Sequence, residues 1–110
     1  MSQFSRIEVA ALMKETGLVP LFYHPDVDLG KKILKACYNG GARLIEFTVR
    51  GDFAHEVFAE LNKFVIKELP EMAVGVGSVT DAAAASLYMQ MGANFIVTPS
   101  LREDIAVVCN

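Results

Sequence analysis

Glu46 interrupts the apolar run Leu44-Ile45-Glu46-Phe47-Thr48-Val49-Arg50, and a buried ionised carboxylate is costly unless it is paired. Arg50 lies on the same face of an extended chain, about 13 Å further along at about 3.3 Å per residue. Such a pair has two readings. It is either a structural ion pair closing the mouth of a sheet or a general base whose protonation is set by burial and the arginine. Gly75-Val76-Gly77-Ser78 lacks the third glycine of a dinucleotide fingerprint. It is a tight exit from a strand, or a place where glycines leave room for a ligand while Ser78 donates a hydrogen bond to it. Thr98-Pro99-Ser100 leads toward a helix start, which is either a plain capping turn or a set of backbone N–H groups able to hold an anion. His24 and His55 read as solvated residues rather than catalytic ones.

The elements that must position these groups alternate. Ser5 and Glu8 match a capping box opening a helix that ends near Gly17. Residues 18–23 read as a first strand, in which Pro20 removes one ladder donor. After His24-Pro25-Asp26, a helix follows with Leu29, Ile33 and Cys37 at i, i+4, i+8, stopped by Gly40-Gly41. A second strand covers residues 43–49. Asp52 is expected to cap the next helix, whose Ala54, Phe58, Leu61 and Val65 share a face until Pro70. Residues 72–76 are a third strand, and Asp81 opens an alanine-rich helix ending at Gly92. Residues 95–97 are a fourth strand. Ser100 and Glu103 form a second possible capping box, opening a helix through Leu101, Ile105 and Val108. Strands alternating with helices at this spacing argue for a parallel sheet.

An open doubly wound sheet would need both faces of a central strand to be apolar. The second strand instead places Leu44, Glu46, Thr48 and Arg50 on one face and Ile45, Phe47 and Val49 on the other. Polar groups gathering toward the C-terminal end suit the lumen of a (β/α)8 barrel, where catalytic residues collect. With 110 residues against about 250 for a typical barrel, the chain is expected to hold the N-terminal half: a helix plus four βα units, one domain over 1–110, the remainder absent.

Composition narrows the function. Net charge is −3 without a basic block, so neither nucleic acid nor an anionic membrane surface is an expected partner. Apolar runs fall far short of the roughly 20 residues that span a bilayer, and no signal peptide is visible. Cys37 and Cys109 have no metal-ligand spacing and read as free thiols of a cytoplasmic protein.

Taken together, Val19-Pro20, Gly40-Gly41, Ile45 through Arg50, Gly75-Val76-Gly77-Ser78-Val79 and Gly92-Ala93 through Pro99 resemble the 2-keto-3-deoxy-6-phosphogluconate / 4-hydroxy-2-oxoglutarate aldolase family, from about residue 5 onward. The resemblance implies a class I aldolase that forms a Schiff base between a lysine and a 2-oxo acid and releases pyruvate and an aldehyde. It implies that Glu46 is the general acid/base, that Arg50 and Ser78 bind the substrate carboxylate, and that Pro99 forms the site wall. Ser78 stands where threonine is usual; Gly51 and Ser100 depart from the threonine and glycine of many members. No cofactor or metal is implied, the partner is a small-molecule 2-oxo acid, and the assembly is a homo-oligomer, a trimer in the family. The family's lysine lies on strand six, whereas Lys14, Lys31, Lys32, Lys35, Lys63 and Lys67 all fall in helical segments. The chain alone is therefore expected to be inactive. Two other readings remain: a non-catalytic α/β anion-binding module, and another barrel lyase sharing the strand-end pattern.

Overall fold

The computed structural model describes residues 2–110. Element order is α1 (Arg6–Thr16), β1 (Leu21–Phe22), α2 (Val27–Asn39), β2 (Leu44–Thr48), α3 (Ala54–Glu68), β3 (Ala73–Gly77), α4 (Ala82–Gln90) and α5 (Glu103–Cys109). The sheet runs β1-β2-β3, all parallel, with Glu46 opposite Gly75 and Thr48 opposite Gly77. A fourth segment, residues 95–97, adds to the edge of β3 through a parallel bridge between Val76 and Ile96. Its bonds are Val76 N to Phe95 O (3.1 Å) and Val97 N to Val76 O (2.8 Å).

Local chemistry explains most boundaries. At α1 the Ser5 hydroxyl accepts from Glu8 N (3.2 Å) while Glu8 Oε2 accepts from Ser5 N (2.6 Å), a reciprocal capping box. Hydrogen bonding to Ser5, from its backbone N–H first and its side chain second, holds the Glu8 carboxyl below its usual value. Gly17 ends the helix at φ 63°, a left-handed conformation that costs glycine little. Asp26 accepts from Asp28 N and Leu29 N, and Asp81 accepts from Ala84 N (2.7 Å), as N-caps.

Several expectations are corrected. The first strand shrinks from residues 18–23 to Leu21–Phe22, although Pro20 O still accepts from Glu46 N (2.8 Å), since proline loses its donor but keeps its acceptor. Asp52 does not cap α3. Phe53 holds the N-cap position at φ 58° with no side-chain cap, and Ala54 N bonds Gly51 O instead (3.2 Å). Ser100 and Glu103 form no capping box: Arg102 is the N-cap, Glu103 the first helical residue, and Leu101 lies outside the helix and almost wholly exposed. On α2 the inward face is Gly30 and Leu34 with Val27 and Cys37 beside them, so Leu29 points to solvent.

The two faces of the sheet are covered differently. One side holds the main core, in which Ile45, Phe47, Val74 and Val76 pack against Leu34, Phe58, Leu61, Val65, Ala85 and Ile105 of α2 to α5. Burying a side chain such as Phe58 contributes about 1.5–3 kcal/mol. The other side carries a small cluster at its N-terminal end, where Val9 of α1 meets Leu44 and Ala73 with Phe4, Leu12, Val19 and Phe95 alongside. Asn94 ties this end together, its Oδ1 accepting from Gln3 N and Phe4 N while its Nδ2 donates to Val74 O. Helices α2 to α5 on one face and a single helix closing the floor of the other are the layering of a barrel, not of a doubly wound sheet.

Candidate active site

The apolar cluster on the inner face stops at its N-terminal end, and polar and small residues take over toward the C-terminal half. Glu46 projects there from the middle of β2 and is 9% exposed. Its carboxylate occupies the space that a side chain on Gly77 would fill, since a Cβ at that position would meet Glu46 Oε2 and Cδ. Gly77 has no left-handed φ, so the contact, and not the backbone, is what requires glycine. Glu46 is paired opposite Gly75, so its side chain leans toward the strand exits to reach Gly77. Gly75 plays the same part for Phe95, whose ring lies over it. Thr48, also buried, donates its hydroxyl to Phe22 O (3.3 Å) and ties β1 to β2 at this end.

The strand exits bring the other expected residues to the same end. Val49 N donates to Gly77 O (3.0 Å), which places Arg50 and Ser78 just beyond a bonded pair. Val79 N donates to Val97 O (3.3 Å), which brings the Thr98-Pro99 turn to the exit of β3. Ser78 sits at φ 63°, an uncommon conformation for a residue with a Cβ. Arg50 and Pro99 are exposed. Glu46 and Arg50 form no ion pair; among the described residues the salt bridges join Lys63 to Glu60 and Arg102 to Asp104. The structural-pair reading of Glu46 and Arg50 therefore fails.

His24 is committed elsewhere, its Nδ1 accepting from Asp26 N (3.0 Å). All six lysines are helical: Lys14 in α1, Lys31, Lys32 and Lys35 in α2, Lys63 and Lys67 in α3. Among the described residues no cluster of His, Cys, Asp or Glu could hold a metal ion, and no helix is long and apolar enough to cross a membrane. Gly77 was not singled out in the sequence as the residue that leaves space for the carboxylate. The signal was present, as a glycine two residues beyond the strand partner of a lone acid.

The family model described as KDPG and KHG aldolase matches residues 9–110. The chain belongs to this family. A 2-dehydro-3-deoxy-phosphogluconate aldolase of Pseudoalteromonas atlantica is 31% identical over 88 residues, covering 80% of this chain and 39% of the relative. The KHG/KDPG aldolase of Escherichia coli K12 is 28% identical over the same shares. The crystal structure of the 2-keto-3-deoxy-6-phosphogluconate aldolase of Zymomonas mobilis ZM4 with 3-phosphoglycerate superposes with a TM-score of 0.78 at 26% identity, covering 93% of this chain and 46% of that one. The chain thus spans less than half the length of these aldolases. Its parallel sheet and one-sided helix layer are part of the aldolase (β/α)8 barrel.

Proposed function

We propose that this chain supplies the acid/base half of a class I, pyruvate-forming aldolase acting on 2-keto-3-deoxy-6-phosphogluconate, 4-hydroxy-2-oxoglutarate, or both. The carrying observation is Glu46, a buried carboxylate on the inner face of β2 for which Gly77 keeps space open. Family membership supports the chemistry.

In this reading a lysine from the remainder of the barrel adds to the C2 keto group and expels water, giving an iminium. Glu46, acting through a water molecule, removes the proton of the C4 hydroxyl. The C3–C4 bond breaks, its electron pair moves into the iminium, and the aldehyde departs. The resulting enamine takes a proton at C3 from the same carboxyl group. Hydrolysis then releases pyruvate and returns the lysine. Arg50 and Ser78, at adjoining strand exits, hold the substrate carboxylate, and Pro99 forms part of the wall. The setting is a cytoplasmic homo-oligomer, a trimer as in the family; free Cys37 and Cys109 suit a reducing compartment.

Alone, residues 1–110 form one partial barrel without a lysine at a strand exit, and are inactive. Intact mass after incubation with pyruvate and borohydride tests both statements. The 110-residue chain should remain at 12.0 kDa, while the complete protein gains one reduced pyruvate adduct. An adduct on the short chain would place the nucleophile among its six lysines and overturn the half-site reading. No adduct on the complete protein would overturn the aldolase mechanism.

A further inference from the structure

Gly51, directly after Arg50, calls for an explanation that its backbone does not supply. Its φ lies outside the left-handed range, so the conformation there is open to other residues. What excludes a side chain is Tyr23. The phenol oxygen and Cζ of Tyr23 occupy the space where a Cβ on residue 51 would begin. The Tyr23 ring is itself held, packed at 5.5 Å on Phe47, which is buried against Phe22 and Phe58. The turn they share is otherwise held by two backbone bonds, Arg50 N to Thr48 O (3.0 Å) and Ala54 N to Gly51 O (3.2 Å). Arg50 is in no ion pair among the described residues, so its side chain has no charged anchor of its own.

We infer that Tyr23 and Gly51 are a matched pair of positioning residues that fix the turn presenting Arg50, and so set the affinity for the carboxylate of the 2-oxo acid. Neither residue touches the substrate; both act through Arg50. The inference rests on the aldolase reading for its function but not for its geometry. A methyl group at residue 51 must push the Tyr23 hydroxyl away or lift the turn. Because the Tyr23 ring is packed on Phe47, part of that shift falls on the turn, and Arg50 moves with it.

The test uses the complete protein. Gly51→Ala should raise KM for the 2-oxo acid about tenfold while changing kcat little, as expected for a displaced binding group. The double variant Gly51→Ala with Tyr23→Leu, which removes the obstructing ring, should recover most of that loss. In an Arg50→Gln background, Gly51→Ala should add nothing. Amide hydrogen exchange over residues 50–53 should quicken in Gly51→Ala and return toward the parent rate in the double variant. An unchanged KM in Gly51→Ala, or a KM shift that persists without Arg50, overturns the positioning role. If the parent protein neither turns over nor traps pyruvate, the aldolase reading falls, and exchange still decides the pairing: unchanged exchange in Gly51→Ala overturns it.

Discussion

On the helix side of the sheet, β2 and β3 present Ile45, Phe47, Val74 and Val76 to the large side chains of α2 and α3; on the inner side the same two strands present Glu46, Thr48, Ala73, Gly75 and Gly77. The outer face is filled by volume. The inner face is arranged by omission, with glycines at two positions so that the Glu46 carboxylate and the Phe95 ring can occupy the space. One backbone therefore separates the two demands: alternate residues hold the fold and the residues between them shape a site. Substitutions on the two faces should affect different observables.

The largest expected effect is on turnover. Glu46→Gln in the complete protein should lower kcat by about 10²- to 10⁴-fold, the range for a lost general acid/base, with a thermal midpoint near the parent's. Retained turnover would show that Glu46 is not the acid/base. The non-catalytic anion-binding alternative predicts instead no turnover in the parent and ligand binding left nearly intact by the same change. On the other face, Phe58→Ala should cost about 3–5 kcal/mol in denaturant unfolding, because Phe58 is fully buried between Phe47 and Tyr88. Comparable turnover per folded molecule would confirm the division between faces. Gly77→Ala lies between these cases. Its backbone tolerates alanine but its methyl group displaces the Glu46 carboxylate, so turnover should fall about tenfold or more with little loss of stability. The same change should do nothing further once Glu46 is glutamine.

The smallest effect belongs to neither face. The Glu8 carboxyl at the start of α1 is held below its ordinary value of 4.5 by its bonds from Ser5. A depressed folded-state value gives stability that is present above the unfolded pKa and is lost as pH falls through the folded one. Ser5→Ala should flatten that acid-side decline, measured as thermal midpoint against pH below 4.5. An unchanged slope would show that the box contributes nothing there.

How much was legible in the sequence follows from how local each cause is. The capping box at Ser5, the Asp26 and Asp81 caps and the stop at Gly17 involve partners within four residues, so their patterns could be read directly. The alternation around Glu46 exposed the inner face for the same reason. The start of α3 was missed because Phe53 adopts a left-handed conformation and Gly51 supplies the acceptor, leaving Asp52 without a task. No propensity favours a phenylalanine there. Ser100 was misread because two turn residues fit between it and the helix. The space below Gly77 and beside Gly51 depends on Glu46 of β2 and on Tyr23 just past β1, 31 and 28 positions away by number, which spacing within one element cannot reveal.

The Asn94 contacts have a bearing on how the chain reaches this state. The bond from Phe4 N to Asn94 Oδ1 joins residues 90 positions apart, and it accompanies the docking of α1 against the floor of the sheet. During synthesis the first helix emerges long before its acceptor does. Closing so long a loop carries an entropic cost that local helix contacts do not meet. The tie at Asn94 is therefore the late event at the floor of the barrel, made only after residue 94 has left the ribosome, whereas the contacts of Val9 with Leu44 and Ala73 need only the preceding strands.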